Sequence, residues 1–337
     1  MPKKFTLTKT TNHQSNTKMA QKSTQIHLNS AIKGLVTLLI TSQTLQWHSQ
    51  GHMLVAEIAR QHLLTTSQGT AALNWANRLL RPLAPHCGEK FNPFVESATY
   101  PDKVGSLGWK TMSGWHFIDQ PVLPKGYNPK KKPKIPSANV VFLLHNVYNH
   151  LISSVKKSDM RYGTADVTLP KSFDLRFLIH MVGDIHQPIH SATLYSEDFP
   201  TGDAGGNLFM IKFPENTTQN LHFVWDNLFN QGKEVFSPLT IEELGGIFKT
   251  ARSLMSEFGY LRLEEQLRRN PLPEDWARES WELAKGFVYV GIKQFEALPE
   301  WYVERGKVEV NRRLALAGYR LAEILVEIFE EYERQAA

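Results

Sequence analysis

One cysteine, Cys87, stands in 337 residues, so no intramolecular disulfide can form and stability has to come from packing or from bound metal. Long apolar runs are equally scarce. Beyond the first fifty residues every hydrophobic stretch is interrupted by polar side chains, and none reaches the ~20 residues that crossing a bilayer takes. Acid is missing from one region only, residues 1–46, which hold six lysines and neither Asp nor Glu. Of 38 basic residues, 32 then remain against 33 acidic ones. The formal charge of +5 therefore does not describe the body of the protein, and a global electrostatic pull toward polyanions is excluded. No internal repeat and no domain-sized change of composition is present, so 47–337 is expected to be one domain.

What is present is a chain with 42% apolar and 11% aromatic residues, enough for a substantial core. Its basic start precedes the apolar run Ala31-Ile-Lys-Gly-Leu-Val-Thr-Leu-Leu-Ile40 and then Thr-Ser-Gln-Thr-Leu-Gln46. That pattern resembles a secretory signal peptide and predicts a leader, 1–46, removed before Trp47, with a secreted or vesicular product. Gln46 departs from the small residue preferred at a cleavage site. Asn216-Thr-Thr218 is a glycosylation sequon for a protein on that route. Apolar residues recur at helical spacing over 53–64, 140–155, 173–185, 241–258, 276–295 and 308–332. Breaks fall at 82–85, 120–136 and 197–206, and 207–213 reads as one strand of a short β-ribbon. The fold class is mainly α.

The chemistry concentrates in His180-Met-Val-Gly-Asp184-Ile-His-Gln-Pro-Ile-His190 and in Leu221-His222-Phe-Val-Trp-Asp226. Twice a His precedes an Asp by four residues, which on a helix places both on one face, one turn apart. Zinc takes imidazole nitrogen and carboxylate oxygen, so His180, Asp184, His190, His222 and Asp226 are candidate ligands, with Asp102 and His116 upstream. A single such pair would equally suit a helical ion pair; two pairs, His190 and an intervening Gly-Gly-Asn do not suit a solvated surface. His62, His145, His150 and His186 read instead as ordinary hydrogen-bonded histidines.

Trp47-His-Ser-Gln-Gly-His52, the Asp102 segment, Trp115-His116-Phe-Ile-Asp119, the His180, Asp184 and His190 run, Gly205-Gly-Asn207 and Asn220-Leu-His222-x3-Asp226 together resemble the ordered motifs of the zinc-dependent, single-strand-specific type I nucleases. That family is similar to the 3'-nucleotidase/nucleases and, more distantly, to zinc phospholipase C. Trp276-Ala-Arg-Glu-Ser280 and Arg312 with Gly318-Tyr-Arg-Leu-Ala322 extend the match, which runs from Trp47 to about Ala322. The resemblance implies a helical phospholipase C/nuclease-like domain holding three zinc ions. Asp102, His116, His180 and Asp184 would hold one, and His190, His222 and Asp226 a second. His52, Asp184 as a bridge, and the amino group and carbonyl of Trp47 would hold the third, so removal of the leader completes the site.

The resemblance further implies hydrolysis by a zinc-activated water, 5'-phosphorylated products, and Asp119 as orienter of that water, although Asp119 also suits a partner of a ligand His. Single-stranded DNA and RNA and 3'-nucleotides are the implied substrates of a monomer with no stable membrane association. Phe117 would stack a base and Asn207 bond its edge; a core aromatic and a turn-shaping amide are the alternatives. Type I nucleases often carry a basic residue three positions after the first Asp ligand. Here Gly105 stands there, with Lys103 or Lys110 as replacements. Lys125, Lys130, Lys131, Lys132 and Lys134 fit either a contact with nucleic-acid backbone or a solvated basic loop. Two other readings compete: a phospholipase C acting on lipid headgroups, against which Asp226 stands where that relative has Glu, and a non-catalytic zinc protein.

Overall fold

The computed structural model describes residues 49–153, 168–214, 217–231 and 234–336. The leader 1–46, Trp47 and Asn216 lie outside them. The described chain is mainly helical: α1 (Ser49–Leu63), α2 (Ser67–Leu80), α3 (Tyr100–Ser106), α4 (Val140–Ile152), α5 (Thr168–Asp184), α6 (Leu221–Asp226), α7 (Ile241–Glu257), α8 (Tyr260–Arg269), α9 (Pro273–Leu283) and α10 (Glu300–Ala336). Local chemistry explains several starts. The Thr66 hydroxyl accepts from Gly69 N at 3.0 Å to cap α2, and Asn139 accepts from Phe142 N at 3.0 Å to cap α4. Thr240 and Glu243 form a reciprocal capping box on α7.

Helix α5 is the hub. Leu175, Phe177, Leu178, Ile179, Met181 and Val182 are all buried, so its second half is apolar around most of its circumference, as a helix inside a core must be. It packs against α1, α2, α4 and α10. The long α10 lies along α1, and their axes come close at Gly318, where a β-carbon would meet the Ile58 side chain at 2.5 Å and the Val55 carbonyl at 3.1 Å.

The strands are short. β1 (Gln120–Val122) pairs in parallel with β2 (Ala192–Leu194), and β3 (Met210–Lys212) pairs antiparallel with β4 (Thr218–Asn220). The second pair is the ribbon expected at 207–213. β1 corrects the expectation of a plain loop over 120–136. The helix expected over 276–295 is also shorter: α9 ends at Leu283, one π-helical turn follows over Ala284–Val288, and the chain then leaves helical geometry. The cause is competition for backbone hydrogen bonds. Phe295 N donates to Met210 O at 2.8 Å and Lys212 N donates to Glu296 O at 3.1 Å, so this segment satisfies β3 instead of extending a helix. In the other direction, α10 begins eight residues before the expected 308, and α1 begins at Ser49, which puts His52 in its first turn.

Gly318→Ala is expected to overpack the α1–α10 contact at a cost of about 1–3 kcal/mol, read as a fall of several degrees in the thermal midpoint; an unchanged midpoint would show that the helices separate without cost.

Candidate metal centre

The last turn of α5 carries His180 and Asp184 on one face, with Nε2 and Oδ2 3.1 Å apart and both side chains fully buried. The chain turns through Gln187, whose N–H donates to Asp184 O at 2.9 Å, and a 3-10 turn over Pro188–His190 brings His190 back to the same point. α6, capped by the Asn220 side chain on Phe223 N at 2.6 Å, presents His222 and Asp226 with Nε2 and Oδ2 3.1 Å apart. His116 ends the 3-10 segment Lys110–His116, and Asp102 lies in the first turn of α3. Eight of the nine candidate ligands are thereby brought together, and the ninth, Trp47, lies outside the described residues.

Three groups emerge whose ligand atoms lie within 4.8 Å of one another: His52, His180 and Asp184; Asp102, His116 and His180; and His190, His222 and Asp226. Asp184 stands at their junction. Its Oδ2 faces His116 Nδ1 at 2.8 Å and His180 Nε2 at 3.1 Å, while its Oδ1 faces His52 Nε2 at 3.4 Å and His190 Nδ1 at 3.5 Å. One carboxylate thus serves two sides.

Backbone carbonyls set which nitrogen carries the proton. His180 Nδ1 donates to Ala98 O at 2.6 Å, His222 Nδ1 to Gly205 O at 2.6 Å, and His190 Nδ1 to His116 O at 3.1 Å. Each neutral ring then turns an Nε2 lone pair inward, toward carboxylate oxygens, and two acceptors aimed at one point need a cation between them. Among the described residues, both ring nitrogens of His52, Nε2 of His190 and His222, Oδ1 of Asp184 and Oδ2 of Asp226 are buried without a hydrogen-bond partner. At about 1–3 kcal/mol for each orphaned group, that cost is on the order of ten kcal/mol. Structural zinc binding, about 10–16 kcal/mol, is large enough to offset it. The donor set therefore fits metal, and an imidazole–carboxylate set of this kind fits zinc.

In the metal-free protein a proton can take part of the place of that cation, and the electrostatics show where. Burial alone would raise the carboxyl of Asp184, but His180 and His190 outweigh it and hold the group well below the usual carboxylate range. Burial would lower His180; Asp184 and Asp102 outweigh it and raise the ring to about 9. His116, dominated by burial, falls to about 4, and burial followed by the neighbouring His180 drives His52 well down. Burial raises Asp102 to about 7 despite His180, because Asp184 and Asp226 add negative potential.

The remaining candidates fall around this cluster. Asp119, half-buried and with φ 38°, sits beside His190 and His222, and its carboxyl is raised by burial against their pull. The Phe117 ring lies 4.7 Å from that of His190 and 6.0 Å from that of His222. Asn207 bonds Ala204 O through its amide at 2.9 Å, which supports the turn-shaping alternative for the free protein. Gly105 has open space where a side chain would start, and Lys103 donates to Cys87 O at 3.0 Å.

Sequence reading left Gln187 unassigned. Its amide donates to Asp226 Oδ1 at 2.8 Å and its carbonyl accepts from Ile189 N at 2.7 Å, locking the turn between the two metal-ligand pairs. The four histidines read as structural have ordinary partners: His62 stacks on Tyr260, His145 pairs with Glu274 and His150 with Asp174. His186 is held between Val182 O and Arg320. The Trp276–Ser280 and Arg312–Ala322 motifs form a brace behind the cluster. Glu279 accepts from Arg313 at 2.9 Å and from Arg320 at 2.8 Å, Arg313 donates to His186 O at 2.9 Å, and Ser280 donates to Ile185 O at 2.5 Å.

Fold and site together define a helical domain with a candidate metal centre, and sequence comparison places it. The S1/P1 Nuclease family matches residues 47–330, and the chain belongs to that family. It is similar to Endonuclease 4 and Endonuclease 3 of Arabidopsis thaliana, each 27% identical, with 90% of this chain matched to 95% and 97% of theirs. Nuclease S1 of Aspergillus oryzae is 27% identical over 195 residues, 56% of each chain. The protein is accordingly a nuclease, an enzyme that hydrolyses phosphodiester bonds, and of the three readings above the nuclease is the one borne out. Among the described residues no helix is long and apolar enough to cross a membrane.

Burial would raise the Glu279 carboxyl, but Arg320 and Arg313 outweigh it and depress it from 4.5 to about 2. A depressed folded-state value means stability that is present above the unfolded value and lost as pH falls toward the folded one. Glu279→Gln is expected to cost about 3–5 kcal/mol at pH 7. With both proteins in chelator, the gap in thermal midpoint should narrow as pH falls from about 4.5 toward about 2; a gap independent of pH would refute the ionic role of Glu279.

Proposed function

We propose that this nuclease is zinc-dependent, acts on single-stranded DNA and RNA to give 5'-phosphorylated products, and also releases phosphate from 3'-nucleotides. The observation that carries the proposal is the division of the two Asp184 oxygens between His116 and His180 on one side and His52 and His190 on the other. In this reading Asp102, His116, His180 and Asp184 hold one zinc, and His190, His222 and Asp226 a second. Asp184 also joins His52 and the backbone of Trp47 at a third. Bound zinc would supply an acidified water and positive charge against the developing phosphoryl and leaving-group oxygens.

The protein's own groups do the rest. Asp119, with a carboxyl raised by burial, stands beside His190 and His222 to orient the attacking water and accept its proton. Phe117 offers a half-buried ring on which an unpaired base can stack, which a base held in a duplex cannot do. Asn207 can exchange its contact with Ala204 for a base edge. The family match, beginning at residue 47, supports a catalytic domain that starts at Trp47, with 1–46 as a removed leader on a secretory route and Asn216 glycosylated there. The mature enzyme is then a monomer without membrane attachment.

A chain beginning at Trp47 should release 5'-phosphorylated products from single-stranded DNA. A chelator should abolish the activity and zinc should restore it, and a chain beginning at Met1 should bind less zinc. Activity that survives exhaustive chelation, or strict preference for duplex, would reject the proposal; equal zinc content in the two chains would reject the role of the Trp47 amino group.

A further inference from the structure

Away from the cluster, Lys130, Lys131, Lys132 and Lys134 face Tyr195, Pro200 and Thr201 across a groove of about 360 Å³. All four lysines are exposed. The ion pairs formed among the described residues include none of them; Lys285 with Glu282, Lys293 with Glu296 and Lys307 with Glu304 are the lysine pairs found there. Glu197 and Asp198 lie on the facing loop, but neither lines the groove or pairs with a lysine. Four unpaired cations within five residues repel one another, so this loop carries a concentrated positive field on a nearly neutral body. Opposite them is an aromatic ring. Tyr195 is half-buried, with Gly202 close by: a β-carbon on Gly202 would come within 2.9 Å of the Thr193 hydroxyl and 3.3 Å of the Tyr195 ring, so the absence of one lets that loop approach the ring.

The paired strands β1 and β2 connect the backbone beside the metal centre to one wall of the groove. Ile118 N donates to His190 O at 2.9 Å and Gln120 N to Ser191 O at 3.3 Å, after which β1 and β2 run side by side and Tyr195 N donates to Val122 O at 3.0 Å. Tyr195 is four residues beyond Ser191 along an extended strand, roughly 13 Å from the cluster. Burial, and after it the Asp119 carboxylate, raises the Tyr195 phenol.

A basic groove beside an aromatic platform is the combination that holds single strands, the cations following phosphates and the ring stacking a base of any identity. We propose that this groove is a second anchoring site for a single-stranded polynucleotide, holding the strand a few nucleotides away from the bond placed at the cluster. A simple polyanion would need the lysines but not Tyr195, and the pairing of the two favours a strand with bases. The proposal rests on the nuclease reading for the strand's path into the cluster.

The test is fluorescence anisotropy on the zinc-loaded chain, using a labelled 16-nucleotide phosphorothioate oligothymidylate and an abasic strand of the same length, between 50 and 200 mM salt. Replacing Lys130, Lys131, Lys132 and Lys134 together by Ala should reduce the slope of log affinity against log salt by about 2–3, since each phosphate contact on a single strand contributes about 0.7. Tyr195→Ala, with the loop charges intact, should weaken oligothymidylate binding roughly tenfold, leave the abasic strand unaffected, and be rescued by Tyr195→Phe. Salt slopes and affinities equal to those of the parent would overturn the proposal, as would an equal loss for the abasic strand with Tyr195→Ala. With an unmodified oligothymidylate as a parallel substrate, binding through the groove without any cleavage would reject the proposed mechanism and leave the groove standing; cleavage with groove-independent binding would do the reverse.

Discussion

Asp184 is the constraint around which this protein is built. Its carboxylate is fully buried and confronted by four imidazoles, two on each oxygen. A buried anion so placed is costly alone, and a neutral His180, its Nδ1 tied to the Ala98 carbonyl, turns a lone pair rather than a proton toward it. Metal cations would resolve the conflict by taking the inward-facing nitrogen and oxygen lone pairs as ligands. The site is therefore stable as a unit, and removing any member leaves the others unsatisfied.

Such a cluster needs a scaffold that does not relax. Helix α5 supplies it by being buried on nearly every side, so His180 and Asp184 cannot turn outward. Where α5 ends, the exit of the chain is fixed three ways: Ser280 on Ile185 O, Arg313 on His186 O, and Gln187 between Asp226 and Ile189. The Glu279–Arg313–Arg320 brace has no partner atom in the cluster, yet it sets the backbone from which His190 returns. Rigid backing of this kind places ligands to within a few tenths of an ångström, which metal coordination and in-line attack both demand.

Much of the centre was legible because helical period converts sequence spacing into geometry. His180 with Asp184 and His222 with Asp226 needed only the four-residue rule, and the ordered motifs added His52, Asp102 and His116. What escaped was carried by the backbone. The carbonyls of Ala98, Gly205 and His116 that orient the imidazoles have no side-chain signature. In the fold, β1 and β2 span three residues each and β1 contains Pro121, too little pattern to read as strands. The helix over 276–295 was overextended because its apolar spacing continues past Leu283, while the backbone is diverted to pair with β3. Lys103 looked available near Gly105, and only the structure shows it engaged at Cys87.

The central claim is that Asp184 is shared between metals, and zinc content measures it directly. After zinc loading and dialysis, elemental analysis of the chain beginning at Trp47 should find three zinc ions in the parent and one in Asp184→Ala, the survivor being the site of His190, His222 and Asp226. Loss of a single zinc, or of none, in the folded variant would contradict the bridge and with it the account of how this centre is held together.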